Sequence, residues 1–242
     1  MLRMISEQQI QTIEQAGLAE SLRMISGLFP GQCVFSSSLG QEDQVITDAI
    51  LKNNIPIRIF TLDTGRLFYE TYDLLEKTNA RYKTNIQVYF PVAPAVEEFV
   101  NTNGINGFYE SVENRKRCCY IRKVEPLNRA LAGAKVWVTG LRAEQSDNRH
   151  DMKLLEWDEI RQLWKFNPLI RWSFEEMMEY IKSHDVPYNP LHDRGFVSIG
   201  CAPCTRAIEP GEDARAGRWW WESSKKECGL HAVRLENGNG SQ

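Results

Sequence analysis

The chain has 242 residues, 42% of them aliphatic, aromatic or cysteine, enough for one large α/β domain with or without an appended segment. A net charge of -3 offers neither the basic footprint of a nucleic-acid binder nor a polybasic membrane patch, and no apolar run nears the ~18 residues of a membrane span. The N-terminal MLRMISEQQIQTIEQ lacks the apolar core of a secretory signal, so the six cysteines are expected to be reduced in a cytoplasm, suited to metal binding or catalysis rather than disulfides.

Ile10, Ile13, Leu18, Leu22 and Ile25 recur at helical spacing and predict one or two amphipathic helices over residues 7–28, interrupted at Gly17 and stopped by Pro30-Gly31. Residues 32–36 (QCVFS) predict a buried strand. It runs into SSSLGQED, and a helix follows through Val45, Ile46, Ala49 and Ile50. A strand, a small polar loop and a helix form the arrangement in which loop N–H groups and a helix N-terminus hold a phosphate; a serine run also serves as an ordinary helix start. Residues 55–61 form a second strand, ending in LDTGR. Asp63 then lies just past a strand's carboxyl end, where open parallel sheets bind ligands. A helix from Leu67 to Thr78, a third strand over 86–90 and a helix from Ala95 to Asn101 come next. One further helix runs from Arg115 through Val124, Leu127 and Leu131 and carries the adjacent pair Cys118-Cys119. Residues 135–139 form a fourth strand ending at Gly140-Leu141-Arg142, and a polar loop containing Arg149 follows. A hairpin is expected around Trp157 and residues 164–166, and Ser173-Phe174-Glu175-Glu176 is a capping box that opens a helix to about Ser183. Strands alternating with helices at this spacing mean a parallel sheet covered on both faces.

The chemistry concentrates in the cysteines. Cys201-Ala202-Pro203-Cys204 turns the chain enough to bring two thiolates to one ion. Adjacent Cys118 and Cys119 rarely both reach a single ion, but a cube of four irons offers each a separate corner. Four thiolates from two distant segments suit a [4Fe–4S] cluster, with a zinc site or a redox dithiol as rivals. Cys33, inside a strand, reads as a buried apolar residue. Cys228 stands apart: Lys225 and Lys226 favour its thiolate, Glu227 opposes it, and His231 follows closely. Lys123, Arg142, Arg149, Arg215 and Arg218 are singly unremarkable surface charges. Grouped near strand ends and thiols, they point to a dianionic substrate, because guanidinium forks match phosphate and sulfate oxygens. Trp219-Trp220-Trp221 reads as packing.

SSSLGQED, TLDTGRLFYETY, CCYIRKVEPL, VTGLRAEQSDNR, CAPCTRAIEPGEDARAGRWWWE and KECGLH together make the chain resemble the assimilatory adenylylsulfate reductases with an iron–sulfur cluster. The resemblance runs from about Cys33 to His231. It implies a parallel-sheet α/β fold of the adenine-nucleotide alpha-hydrolase-like (PP-loop) kind. The implied division is an N-terminal helical segment (1–30), a nucleotide-binding domain (31–200) and a cluster-anchored catalytic tail (201–242). It further implies that Cys118, Cys119, Cys201 and Cys204 ligate a [4Fe–4S] cluster. Cys228 becomes the nucleophile, with Lys123 and His231 beside it in catalysis. Arg142, Arg149, Arg215 and Arg218 bind substrate, while Ser36, Ser38, Gly40, Asp43, Leu62, Asp63, Thr64 and Gly65 hold the adenylyl part. The phosphate loop departs from the Ser-Gly-Ala-Glu-Asp of many members, reading Ser38-Leu39-Gly40-Gln41-Glu42-Asp43 here. The implied reaction is reduction of adenylylsulfate to sulfite and AMP through an S-sulfocysteine. Thioredoxin or a glutaredoxin-like protein acts as reductant, within sulfate assimilation and cysteine biosynthesis. The enzyme is expected to be cytoplasmic and homo-oligomeric, free of nucleic acid and membrane. The alternatives are phosphoadenylylsulfate as substrate or dual use of both nucleotides, and, more distantly, a zinc-stapled nucleotide-binding or tRNA-thiolation-like protein.

Overall fold

A computed structural model describes residues 5–145 and 152–222. Two helices open the chain, α1 (Glu7–Gln15) and α2 (Leu18–Leu28), with Gly17 as the N-cap of the second. Helices and strands then alternate: β1 (Cys33–Ser37), α3 (Gln41–Lys52), β2 (Arg58–Leu62), α4 (Tyr69–Tyr82), β3 (Gln87–Tyr89) and α5 (Ala93–Asn103). After α6 (Val112–Cys119) the helix widens into a π-helical turn at Tyr120–Val124 and resumes as α7 (Glu125–Leu131). β4 (Val136–Val138), the hairpin β5 (Leu155–Asp158) and β6 (Leu163–Phe166), and α8 (Phe174–His184) complete the frame. α8 starts on the expected capping box: Ser173 Oγ accepts from Glu176 N, and the Glu176 carboxylate accepts from Ser173 N.

The six strands form one sheet in the order β3-β2-β1-β4-β6-β5. Every neighbouring pair is parallel except β5 with β6, an antiparallel edge. Both faces are covered, so the strands carry apolar residues on both sides. Along β1 and β4, Cys33, Phe35, Val136 and Val138 face a core shared with α1, α2, α3 and α8. Val34 and Trp137 face the opposite core, with Leu127, Ala130 and Leu131 of α7. Cys33 is 2% exposed, and burial pushes its thiol up to about 12, so it is an apolar filler without reactivity.

Two boundaries differ from the sequence pattern. β2 begins at Arg58 because Ile55 and Ile57 are buried in the turn before it, where Ile55 N donates to Ile50 O. The helix after Cys118-Cys119 is not continuous, since five residues take the wider turn. Among the described residues no helix is long and apolar enough to cross a membrane.

The chain order fixes where a ligand can sit. From β1 the chain winds outward through β2 and β3, then returns to place β4 on the other side of β1. The loops leaving β1 and β4 therefore diverge and open a crevice at the carboxyl ends of the strands.

Candidate active site

That crevice is a cleft of about 570 Å³, the size of a small-molecule site. Its floor is Trp137, whose Nε1–H donates to Ser36 Oγ at 2.7 Å. One wall is the loop from Ser36 to Asp43, built around a buried carboxylate. Asp43 Oδ2 accepts from Ser38 N at 2.5 Å and from Ser38 Oγ at 2.7 Å, and Leu39 N donates to Ser37 Oγ. This holds Leu39 at a φ of 63°, a left-handed conformation that a leucine adopts only when its surroundings impose it. Gly40 then caps α3, whose first-turn N–H groups are those a helix leaves without internal partners. Burial pushes Asp43 up to about 7, against the two Ser38 hydrogen bonds that pull it down. Asp43 thus organises the loop rather than facing an anion. Gly140, after β4, lies hard against it: a Cβ there would collide with Asp43 Oδ1.

The turn after β2 supplies a second wall. Leu62 and Thr64 line the cleft, whereas Asp63 and Gly65 are not part of the lining. Asp63 Oδ1 accepts from Gly65 N and from Tyr72 Oη, so Asp63 and Gly65 shape the turn that presents Thr64. Arg142, from the loop after β4, is buried and already engaged. Its Nε donates to Glu42 and its Nη1 to Glu144, both at 2.9 Å, and Phe174 lies over it at 5.8 Å. Arg142 ties the phosphate-type loop to the β4 loop. Arg215 and Arg218 line the remaining side. The Arg218 guanidinium rests on Gly200, where any side chain would displace it. Its Nε is buried with no partner among the described residues, a donor available to an anion.

Behind the cleft lies a second pocket. It is lined by Cys118, Cys119, Cys201 and Cys204, together with Arg66, Arg115, Arg122 and Lys123. α6 ends on the two adjacent cysteines, and the other pair brackets a 3₁₀ turn at Ala202–Cys204, with Cys201 as its N-cap and Cys204 as its last residue. Ala202 N donates to Arg66 O at 2.8 Å, which docks this turn against the chain after β2. The π turn faces both pockets: Arg122 Nη1 donates to Thr64 O at 2.6 Å, and Lys123 lines cleft and thiol pocket alike. Thr64 joins them too, accepting from Cys201 Sγ at 3.2 Å. Burial pushes the thiols of Cys118 and Cys204 up, to about 12 for Cys204, where the neighbouring Cys201 adds to the rise. At Cys201 burial is outweighed by Lys123, the Thr64 hydroxyl, Arg218 and Arg122, and its pKa is lowered. Among the described residues no three His, Cys, Asp or Glu side chains are placed to hold a single metal ion.

The structure thus brings Ser36, Ser38, Gly40, Asp43, Leu62, Thr64, Lys123, Arg142, Arg215 and Arg218 around one cleft, and the four cysteines around another. Arg149, Cys228 and His231 lie outside the described residues. Sequence reasoning missed Arg122, although it sits inside CCYIRK beside Lys123, and missed Arg66 and Arg115. It also missed His192, which lines the cleft with its Nε2 buried and unpartnered among the described residues. Burial lowers the His192 pKa, while Glu42, the Phe196 carbonyl and Asp193 act in the other direction.

Residues 32–207 match the phosphoadenosine phosphosulfate reductase domain. An adenosine 5'-phosphosulfate reductase of Allochromatium vinosum is 56% identical over 199 residues, covering 82% of this chain and 78% of that protein. One from Agrobacterium fabrum is 49% identical over 226 residues, covering 93% and 86%. The chain belongs to this reductase family. The phosphoadenylyl-sulfate (PAPS) reductase of Candida auris, solved with phosphate, superposes on this member of the reductase family with a TM-score of 0.71. It is 30% identical, covering 85% of this chain and 98% of that one. Candida glabrata FMN adenylyltransferase shares the fold at a TM-score of 0.53 and 17% identity, covering 87% and 71%. The reductase-family chain therefore has a PP-loop-like nucleotide-binding fold.

Proposed function

We propose that the chain reduces adenylylsulfate to sulfite and AMP, with Cys228 as nucleophile and a thioredoxin-type dithiol as reductant. The observation that carries this reading is the shared wall: Lys123 and Thr64 stand between a nucleotide-sized cleft and a pocket of four thiols. The adenosine 5'-phosphosulfate reductases to which the chain is similar point the same way.

The four-thiol pocket fits a [4Fe–4S] cluster. It offers four thiols from two segments, and cations around them to offset thiolate charge. When bound, such a cluster supplies broad charge-transfer absorption and a fixed local charge. Cys118, Cys119, Cys201 and Cys204 would hold it.

The chemistry then falls to this chain's own groups. The Cys228 thiolate attacks the sulfonyl sulfur; the bond from sulfur to the phosphate oxygen breaks, and AMP leaves with the electron pair. Lys123, Arg215 and Arg218 offset negative charge on the transferring group and the departing phosphate, and Arg149 and His231 belong to the same proposal. The loop from Ser36 to Asp43 and the turn at Leu62 and Thr64 hold the nucleotide. A thiolate of the reductant then attacks the Cys228 sulfur, sulfite leaves with the electron pair, and the second thiol closes a disulfide on the reductant. Two electrons pass from dithiol to sulfur, and the enzyme returns unchanged.

Cys228→Ser should keep iron and AMP binding yet accumulate no sulfonated enzyme by intact mass. Sulfonate on a different residue would end the assignment. A colourless, zinc-loaded protein from anaerobic purification would overturn the cluster. The family match and the Candida auris structure make phosphoadenylylsulfate the second reading; a competition assay with both nucleotides decides between them.

A further inference from the structure

Arg115, three residues before Cys118 on α6, forms a buried ion pair with Glu222, the last described residue. Its Nε donates to Oε1 at 2.9 Å and its Nη2 to Oε2 at 2.8 Å, a fork-to-fork geometry. The two side chains are only 4% and 5% exposed. Burying such a pair costs desolvation that an apolar pair of similar volume would avoid, so stability alone is a poor reason for it; fixing one arrangement among several is the better-attested use.

The surroundings show what is fixed. Trp219 is 1% exposed and lies between two guanidinium groups, Arg115 at 4.7 Å and Arg218 at 4.8 Å. It has a φ of 42°, rare for a large side chain and tolerated only where packing over-determines the backbone. Trp219 N donates to Cys204 O, and Glu222 N donates to Trp219 O. A continuous stack therefore runs from Arg218 in the cleft wall through Trp219 and Arg115 to Glu222, tied at one side to the CAPC turn and at the other to α6.

We propose that the Arg115–Glu222 pair is a positioning device: it fixes the point from which the chain continues toward Cys228 and so sets how readily that thiol meets the bound substrate. This rests on the reading of Cys228 as nucleophile. Cys228 stands six positions after Glu222, a tether of at most roughly 22 Å. On so short a tether the effective concentration of the thiol depends on where the anchor stands. Arg115 and Glu222 do not line the cleft, so substrate affinity and sulfonation rate are separable.

The test is a single-turnover reaction of the iron-loaded full chain with adenylylsulfate and no reductant, read by intact mass against time, alongside calorimetric AMP binding and iron content. For Glu222→Gln, sulfonation should be at least about tenfold slower, with AMP affinity within about twofold of wild type and iron unchanged. Arg115→Lys, which keeps the charge but not the fork, should fall between. Wild-type sulfonation rates in Glu222→Gln would overturn the proposal, as would slowing matched by equal loss of AMP affinity or of iron, which is a purely structural effect. If Glu222→Gln does not fold, Glu222→Asp, with its charge kept and its reach shortened, carries the same thresholds. Absence of sulfonate on Cys228 in the wild type would instead refute the nucleophile assignment itself.

Discussion

The cleft is made from turns of backbone hung on the rigid ends of β1, β2 and β4, whereas the pocket behind it is made from side chains. In the cleft, Ser38, Asp43 and Gly140 shape a loop, and charge comes from helix-end dipoles and a few arginines. In the pocket, four thiols are bracketed by Arg66, Arg115, Arg122 and Lys123. On the proposed reading, the difference follows from what each would hold. A nucleotide is recognised by directional N–H groups that a sheet can preorganise at low cost. Four thiolates close together need nearby cations before they can all lose their protons. The two regions meet at Lys123 and Thr64, so a change at the seam should disturb both, and a change remote from it only one.

Cys204→Ser is expected to have the largest effect: iron and turnover are lost, while AMP still binds within about threefold because the sheet holds the cleft. Loss of AMP binding as well, measured by calorimetry, would show that the cleft depends on the thiol pocket. Lys123→Met strikes the seam and should lower the sulfonation rate by roughly 10²–10³-fold and, with a cation lost from the thiol pocket, lower the iron content as well. Gly140→Ala touches only the cleft. Its Cβ must push Asp43 aside, and overpacking of about 1–3 kcal/mol should weaken AMP binding about tenfold with the absorption spectrum unchanged.

The smallest expected effect is a pH slope. Asp43 is pushed from 3.8 to about 7 in the folded chain, so as pH rises the unfolded chain ionises first and gains stability relative to the folded one. The stability Asp43 contributes is fully present below 3.8 and lost as pH rises through about 7. Asp43→Asn should flatten the fall in melting temperature across that window, measured without nucleotide. Parallel curves for the two proteins would mean that the carboxyl is already ionised in the fold.

Much of the frame could be read from the sequence, because apolar runs such as that around Val34 and Phe35 and the capping box at Ser173 are local signals. The parallel sheet followed from their alternation, and the hairpin of β5 and β6 from its tryptophans. What escaped was non-local or directional. A charge in a sequence has no partner written beside it: Arg142 finds Glu42 a hundred residues earlier, and Arg115 finds Glu222 across the whole second half of the chain. The departure at Tyr120 escaped for another reason. Apolar spacing reports an average of 3.6 residues per turn, and one wider turn changes that average too little to be seen.

That wider turn also constrains how the chain could have been lengthened or shortened. A π turn is an α-helix with one residue too many, so deleting any residue from Tyr120 to Val124 would leave a regular helix that the fold could still accommodate. Because the wider turn absorbs its extra residue, the helix before and after the deletion would keep nearly the same relative orientation. What would change is the turn that carries Arg122 and Lys123 to the two pockets, while Leu127, Ala130 and Leu131 kept their places in the core. A gap there in an otherwise similar sequence should therefore mark a protein whose thiol pocket and cleft no longer share Lys123, with the core around α7 left as it is.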